Sequence, residues 1–408
     1  MINYIKKTAA SCFFILLIIA CADLLPSLPD AKDILAGPLE EITAQQLKDH
    51  LIGDQEFGRI FGKEDGLGPL FVSNSCESCH IGDGKGHPLT TLTRFGKYTN
   101  GLWDNMRLFG GPQLQNRSLS GYPAETIPAD ASGVTRLTPP SVTGLGFLEA
   151  VTDEVILSRA DPGDENGDGI SGVPNYIRPP DYFLPTSEHI ANGETYIGRF
   201  GKKAGAVNLL HQVVNAYLED MGVTSDFALQ DNYNINNGRF TGDDVTDPEV
   251  PLSVVNNVVF YIRTLKEPPR RNQNNPDVLE GELIFNQIQC AACHLPSLTT
   301  GPSEVAALSY KTIHPYTDLL LHDMGAGLDD GYTEGTAHTS EWRTAPLWGI
   351  GVAKDSQGGS MFLMHDGRAP TLEEAILVHG GEAAASREAF NNLSSIEKKM
   401  LIKFLESL

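Results

Sequence analysis

Two pentapeptides of one pattern constrain this chain more than any other feature. They are Cys76-Glu77-Ser78-Cys79-His80 and Cys290-Ala291-Ala292-Cys293-His294. There are six cysteines, and all but Cys12 and Cys21 lie in these two motifs. None is left for a structural disulfide. A bare Cys-x-x-Cys is also read as a redox dithiol or as half of a zinc site. A zinc ribbon pairs two such motifs across about 15–20 residues. Here more than two hundred residues intervene. A dithiol does not need a following histidine, and both copies have one. The pattern instead suits covalent haem attachment. Two thiols form thioethers to the haem vinyl groups, and the adjacent histidine is placed as proximal iron ligand. The expected cofactors are therefore two covalently bound c-type haems, held by Cys76, Cys79 and His80 and by Cys290, Cys293 and His294. The occupant of each sixth iron position then sets function. Methionine raises the reduction potential, a second histidine lowers it, and an open site binds peroxide or oxygen.

The N-terminus reads as a targeting segment. Lys6 and Lys7 precede an apolar run from Cys12 to Ala20. That run falls short of the roughly 20 residues a membrane span needs, so a signal peptide over 1–20 is expected. It ends Ile18-Ile19-Ala20-Cys21, which is similar to a bacterial lipobox and implies acylation at Cys21. Plain cleavage with Cys21 incidental is the alternative. Residues 21–40 read as a tether. The expected location is a periplasmic or cell-envelope lipoprotein, with the membrane as partner through Cys21. The formal net charge of -22 excludes a nucleic-acid partner, which needs a basic stripe. It is compatible with a small basic redox protein or other electron donor.

The chain repeats loosely. Glu56 to Gly62 precedes the first motif and Glu280 to Asn286 the second, each resembling a short amphipathic helix. Arg136-Leu137-Thr138-Pro139-Pro140 follows the first motif, and Trp342-Arg343-Thr344-Ala345-Pro346 the second. Helical spacing recurs at Ala206–Leu218 and Val254–Leu265, the latter stopped by Pro268-Pro269. Convincing alternating strand patterns are scarce. The expected fold is mainly α: two cytochrome c-like domains, 41–160 and 276–408, with long irregular loops and a partly helical insertion over 161–275.

The insertion opens with Asp164-Glu165-Asn166-Gly167-Asp168-Gly169-Ile170-Ser171, the start of an EF-type loop. Ca2+ ligands would come from Asp164, Asn166, Asp168 and the backbone of Ile170, with Asp161 as a competing addition. The closing position falls on Asn175 rather than glutamate, so a plain Asx/Gly turn stays open.

Several further segments carry a resemblance. They include Gly66-Leu67-Gly68-Pro69, Gly144-Leu145-Gly146-Phe147-Leu148-Glu149, Gly198-Arg199-Phe200-Gly201 and Asp220-Met221-Gly222. In the C-terminal half come Tyr316 to Gly325, Glu341-Trp342-Arg343-Thr344 and His365-Asp366-Gly367-Arg368. Together they resemble the di-haem oxidoreductase family of peroxidase-like proteins, some described as thiol oxidoreductases, which is similar to bacterial di-haem cytochrome c peroxidases. The resemblance implies that the distal ligand of the second haem lies fourteen residues after His365, at His379; Met324, Met361 and Met364 are the fallbacks. A histidine bonding helix-terminal carbonyls is the plainer reading of His379. For the first haem, His87 is the candidate distal ligand, or simply exposed loop. Glu149 is the candidate acid/base carboxylate, and Arg136 and Arg343 the candidate propionate partners, against a helix-terminal glutamate and surface ion pairs. Implied is a di-haem oxidoreductase reducing hydrogen peroxide at the first haem with electrons relayed through the second. An oxidase acting on a thiol or protein substrate, and a pure electron carrier, are the alternatives.

Overall fold

Thr43 opens the first helix, Ala44–Phe57. Its hydroxyl accepts from the Gln46 amide at 3.1 Å, and the Gln46 side chain accepts from the Thr43 amide at 2.9 Å. This capping box satisfies two amides the helix itself leaves unpaired. Gly58 ends the helix, its amide reaching the carbonyls of Asp54 and Glu56. The helical stretch therefore precedes most of Glu56–Gly62, and Arg59 to Gly62 lie beyond it, a correction to the expectation from sequence.

The computed structural model describes residues 35, 37–237 and 244–408. The expected signal peptide, Cys21 and most of the tether lie outside the described residues. Among those described, no helix is long and apolar enough to cross a membrane. Helix predominates over strand.

Two helix pairs carry the two motifs. Ala44–Phe57 packs on Leu252–Thr264, and Pro276–Gln287 packs on the C-terminal helix Ser395–Ser407. A glycine sits at each crossing. A Cβ on Gly53 would strike the Asn257 carbonyl and the Tyr261 side chain. A Cβ on Gly281 would strike the Met400 carbonyl and the Phe404 side chain. Four residues after each glycine comes a phenylalanine on the same face. Phe57 meets Tyr261 at 5.3 Å between ring centroids, and Phe285 meets Phe404 at 5.2 Å. The internal repeat thus aligns Gly53 with Gly281 and Phe57 with Phe285. Leu252–Thr264, from the stretch read as an insertion, closes the first motif's helix as Ser395–Ser407 closes the second's.

Strand is present where alternation in the sequence is scarce. Leu92–Thr99 pairs antiparallel with Leu102–Asp104 on one side and Gly133–Leu137 on the other. In Gly133–Leu137 the buried positions are Gly133, Thr135 and Leu137, while Val134 and Arg136 face out. Burial alternates but hydrophobicity does not. The helix expected over Ala206–Leu218 runs Leu209–Asn215 and continues as a π-helical turn, Ala216–Asp220. Such wide turns often re-aim a side chain at a functional site, and this one delivers Asp220 to the cavity described below.

Gly281→Ala should destabilise the protein by about 1–3 kcal/mol through overpacking, read as a lower urea midpoint. Gly327→Ala, where an added Cβ meets nothing within 4 Å, should leave that midpoint nearly unchanged.

Candidate functional site

Both Cys-x-x-Cys-His motifs open on one cavity of about 450 Å³. Cys76, Cys79 and His80 line it with Phe57, Pro139, Pro140 and Val142. Cys290, Cys293 and His294 line it with Phe285, Leu347, Ile376 and His379. The duplicated Arg-Thr-Pro segments meet there: Leu137 to Pro140 from the first half, Trp342 to Ile350 from the second.

Three of the imidazoles on this wall share one arrangement. His80 Nδ1 donates to the Pro140 carbonyl at 2.8 Å, His294 Nδ1 to the Tyr316 carbonyl at 3.0 Å, and His379 Nδ1 to the Ala375 carbonyl at 2.7 Å. A carbonyl only accepts, so each Nδ1 carries the proton and each Nε2 keeps a lone pair. Burial pushes His80 and His294 down to about 4 and lowers His379 as well. All three rings are therefore neutral near pH 7. The ring centroids of His294 and His379 lie 6.5 Å apart. Two imidazoles on opposite sides of one metal ion stand about that far apart, given metal–nitrogen bonds of about 2 Å. Burial also raises the Cys76 and Cys290 thiols to about 12. Such thiols are poor nucleophiles, which disfavours the dithiol reading.

Three cations gather in the same wall: Lys85, Lys202 and Arg343. Burial lowers Lys85 to about 8 and Arg343 to about 10. Lys202 falls well below the usual lysine range through burial and then through Lys85 and Arg343 beside it. Lys85 bonds the Met364 carbonyl, and Arg343 the carbonyls of Gly201 and Thr344. Their bonds go to carbonyls, not carboxylates. Desolvated cations without an ionic partner call for an anion.

A polar cluster occupies the wall beside the first motif. Arg94 is ion-paired to Glu334 and, at 3.1 Å, to Glu219. Gln113 donates to Asp220. Arg94, Asp220, Glu334 and Gln212 all line the cavity. Burial raises Asp220 to about 6, against the lowering effects of Gln113 and Arg94.

The structure does not bring every residue singled out from sequence to this cavity. Glu149 is spent on packing: one carboxylate oxygen accepts from Arg263 at 2.6 Å, the other from the Leu209 amide at 2.9 Å. His87 is absent from the wall; its Nδ1 accepts from the Leu89 amide at 3.1 Å and caps a short 3-10 turn. Arg136 is exposed on its strand, whereas Arg343 is in the wall. In the 161–171 loop the side-chain oxygens face backbone amides: Asp161 takes Glu165 and Asn166, Asp164 takes Gly169, Asn166 takes Asp168, and Asp168 takes Ile170. Asn175 is turned into the core, bonding the carbonyls of Lys203 and Glu334. Sequence reading missed Lys85, Arg94, Lys202 and Glu334. Lys85 stands in the Gly82–Gly86 loop, and Lys202 directly follows Gly198-Arg199-Phe200-Gly201, which were the available signals.

The chain matches the family described as "Di-haem oxidoreductase, putative peroxidase" over residues 128–408, more than half its length, and belongs to that family. No curated protein matches. Among solved structures, it is similar to hydrazine synthase of Kuenenia stuttgartiensis, at 15% identity and a TM-score of 0.39, covering 94% of this chain and 95% of that one. It is equally similar to a MauG-like protein associated with microbial copper homeostasis, at 15% identity and a TM-score of 0.39, with 94% of each chain covered.

Haem is the cofactor the family implies, and the residues present fit it. Neutral imidazoles with free Nε2 atoms suit iron, the apolar lining suits the macrocycle, and Lys85, Lys202 and Arg343 suit its propionates.

Beside the second motif, His322 is held between two carboxylates, Asp318 at 2.8 Å on Nε2 and Glu382 at 2.7 Å on Nδ1. Burial opposes its charge, but the bonds to Asp318, Cys293 and Glu382 outweigh it and raise His322 to about 12. His322→Gln should cost about 3–5 kcal/mol, because it leaves buried carboxylates without their cation. The folded value is raised, so this stability is complete below the ordinary pH of about 6.5 and declines as pH rises toward 12. Urea titrations should therefore show a steeper alkaline loss in the wild type than in the variant.

Proposed function

We propose that this chain is a di-haem peroxidase-like oxidoreductase, built from two cytochrome c-like lobes with one haem attached covalently at each motif. The observation that carries the reading is the single cavity. It joins both motifs and, beside the first, an Arg94–Glu334 ion pair and a protonatable Asp220. When bound, the haems supply the redox chemistry: an iron within reach of peroxide and a store for a second electron. Cys76, Cys79 and His80 hold the first haem. Cys290, Cys293, His294 and His379 hold the second, with Arg343, Lys85 and Lys202 on the propionates.

The chain's own contribution at the first site is proton delivery. Reducing peroxide to two waters consumes two protons and two electrons. Asp220, below about pH 6, holds a proton in the cavity wall for the departing oxygen. Gln113 orients that carboxyl. Arg94, fixed between Glu219 and Glu334, ties the turn that carries Asp220 to the loop that carries Glu334. Asp220 thus takes the role first assigned to Glu149. This reading includes export, a lipid anchor at Cys21 in the cell envelope, and a small redox protein or other donor feeding the second haem.

Histidine 379 gives the spectroscopic test. His379→Ala should convert one haem from low to high spin in the ferric spectrum. An unchanged spectrum overturns the assignment in favour of Met324 or Met364, the methionines at the second site that line the cavity.

Stopped-flow mixing of the reduced holoprotein with hydrogen peroxide tests the reaction itself. Reoxidation should be rapid and should slow as pH rises through about 6, where Asp220 loses its proton. Asp220→Asn should remove that pH dependence and slow the reaction roughly 10²–10⁴-fold. Low-spin haems that consume no peroxide would make the protein an electron carrier.

A further inference from the structure

Three aromatic side chains outside the cavity form a line from the surface to its wall. Tyr98 is 48% exposed. Its ring lies 5.0 Å from that of Trp103, and Trp103 lies 5.3 Å from Tyr332. Tyr332 is 1% exposed, and its hydroxyl donates to Glu334 Oε1 at 3.2 Å. Glu334 and Arg94 belong to the cavity wall beside the first motif.

The line is held by backbone. Tyr98 and Trp103 are directly opposed across the antiparallel pairing of Leu92–Thr99 with Leu102–Asp104. The indole lies over two glycines: a Cβ on Gly96 would strike its Cζ2 atom, and a Cβ on Gly133 would stand 2.8 Å from its ring. Trp103 Nε1 donates to Asn105 Oδ1 at 2.7 Å, fixing the ring's rotation. Core packing alone asks for burial. It does not ask for an exposed tyrosine at one end and, at the other, a phenol hydrogen-bonded to a carboxylate of the reactive cavity.

We propose that Tyr98, Trp103 and Tyr332 form an electron relay between the surface and the first haem site, fed by a phenol-type one-electron donor at Tyr98. The proposal rests on the peroxidase reading. Hydrogen peroxide is the oxidant, and each molecule requires two passages of the relay. In each, Tyr332 gives one electron to the site, and its phenolic proton moves along the existing hydrogen bond to Glu334. An electron from Trp103 and the proton back from Glu334 restore Tyr332. Tyr98 reduces Trp103 and releases its own phenolic proton to solvent. A hydrogen atom from the external phenol restores Tyr98. This route is separate from the second haem and gives the first site its own supply of electrons.

The test uses the fully loaded ferric protein, mixed with stoichiometric hydrogen peroxide without donor and frozen rapidly. Electron paramagnetic resonance should show an organic radical whose signal narrows when tyrosine is ring-deuterated. A spin trap followed by peptide mapping should place an adduct on Tyr98. Trp103→Phe should lose the Tyr98 adduct. Tyr98→Phe, a surface change that leaves the ring in place, should lose the adduct and shift the radical to Trp103. Equal adduct yield in Trp103→Phe overturns the relay while leaving the peroxidase reading intact. Failure of the wild type to consume peroxide overturns the peroxidase reading, and the relay with it. If Trp103→Phe does not fold, Tyr332→Phe serves in its place, since a retained Tyr98 adduct there overturns the proposal equally.

Discussion

Orientation of three imidazoles by backbone carbonyls is the constraint on which the rest of this structure depends. The carbonyls of Pro140, Tyr316 and Ala375 each accept a hydrogen bond from Nδ1 of His80, His294 and His379 respectively. Each bond fixes a tautomer and aims the opposite nitrogen. Two of the carbonyls come from distant segments: Pro140 lies sixty residues from His80, and Tyr316 twenty-two from His294. The long loops must therefore return to the motifs before these rings are oriented. The crossings at Gly53 and Gly281 set how closely the helices that precede each motif pack on their partners. A change of one methyl there propagates to the ring positions because packed interiors do not deform continuously.

The motifs were legible because their pattern is local: two thiols and a histidine sit within five residues whatever the fold. His379 was singled out only through the family resemblance. Nothing in Val378-His379-Gly380 separates a ligand from a helix-terminal histidine, and the Ala375 bond satisfies both descriptions. Asp220, Arg94 and Glu334 were illegible for a different reason. They come from a π-helical turn, a strand and an irregular loop, and only tertiary contact makes them a cluster. Glu149 was attractive because it lies near the position where relatives place an acid. Arg263, from the helix Leu252–Thr264, claims it instead, and that helix was read as part of an insertion. The strand Gly133–Leu137 escaped notice because glycine and threonine occupy inward positions while valine faces out.

Charge is segregated with similar economy. The chain carries a formal net charge of -22, yet its cavity wall holds Lys85, Arg94, Lys202 and Arg343. Only Arg94 has carboxylate partners, Glu219 and Glu334. Among the described residues, Lys85 and Arg343 bond to carbonyls, and neither they nor Lys202 forms an ion pair. Holding like charges together in a desolvated wall is unfavourable by itself. An anionic group between them reverses the sign of that contribution. Propionates are such a group, and cofactor binding then becomes part of folding stability.

That arrangement also explains why Arg94 is treated differently. Arg94 is held by two glutamates of the protein itself, so its position does not depend on what else enters the cavity. Its two partners belong to different parts of the chain: Glu219 to the turn that presents Asp220, and Glu334 to the loop that presents Tyr332. One guanidinium therefore fixes the proton-bearing carboxyl and the phenol at a common wall. Neither segment can therefore shift without disturbing the other.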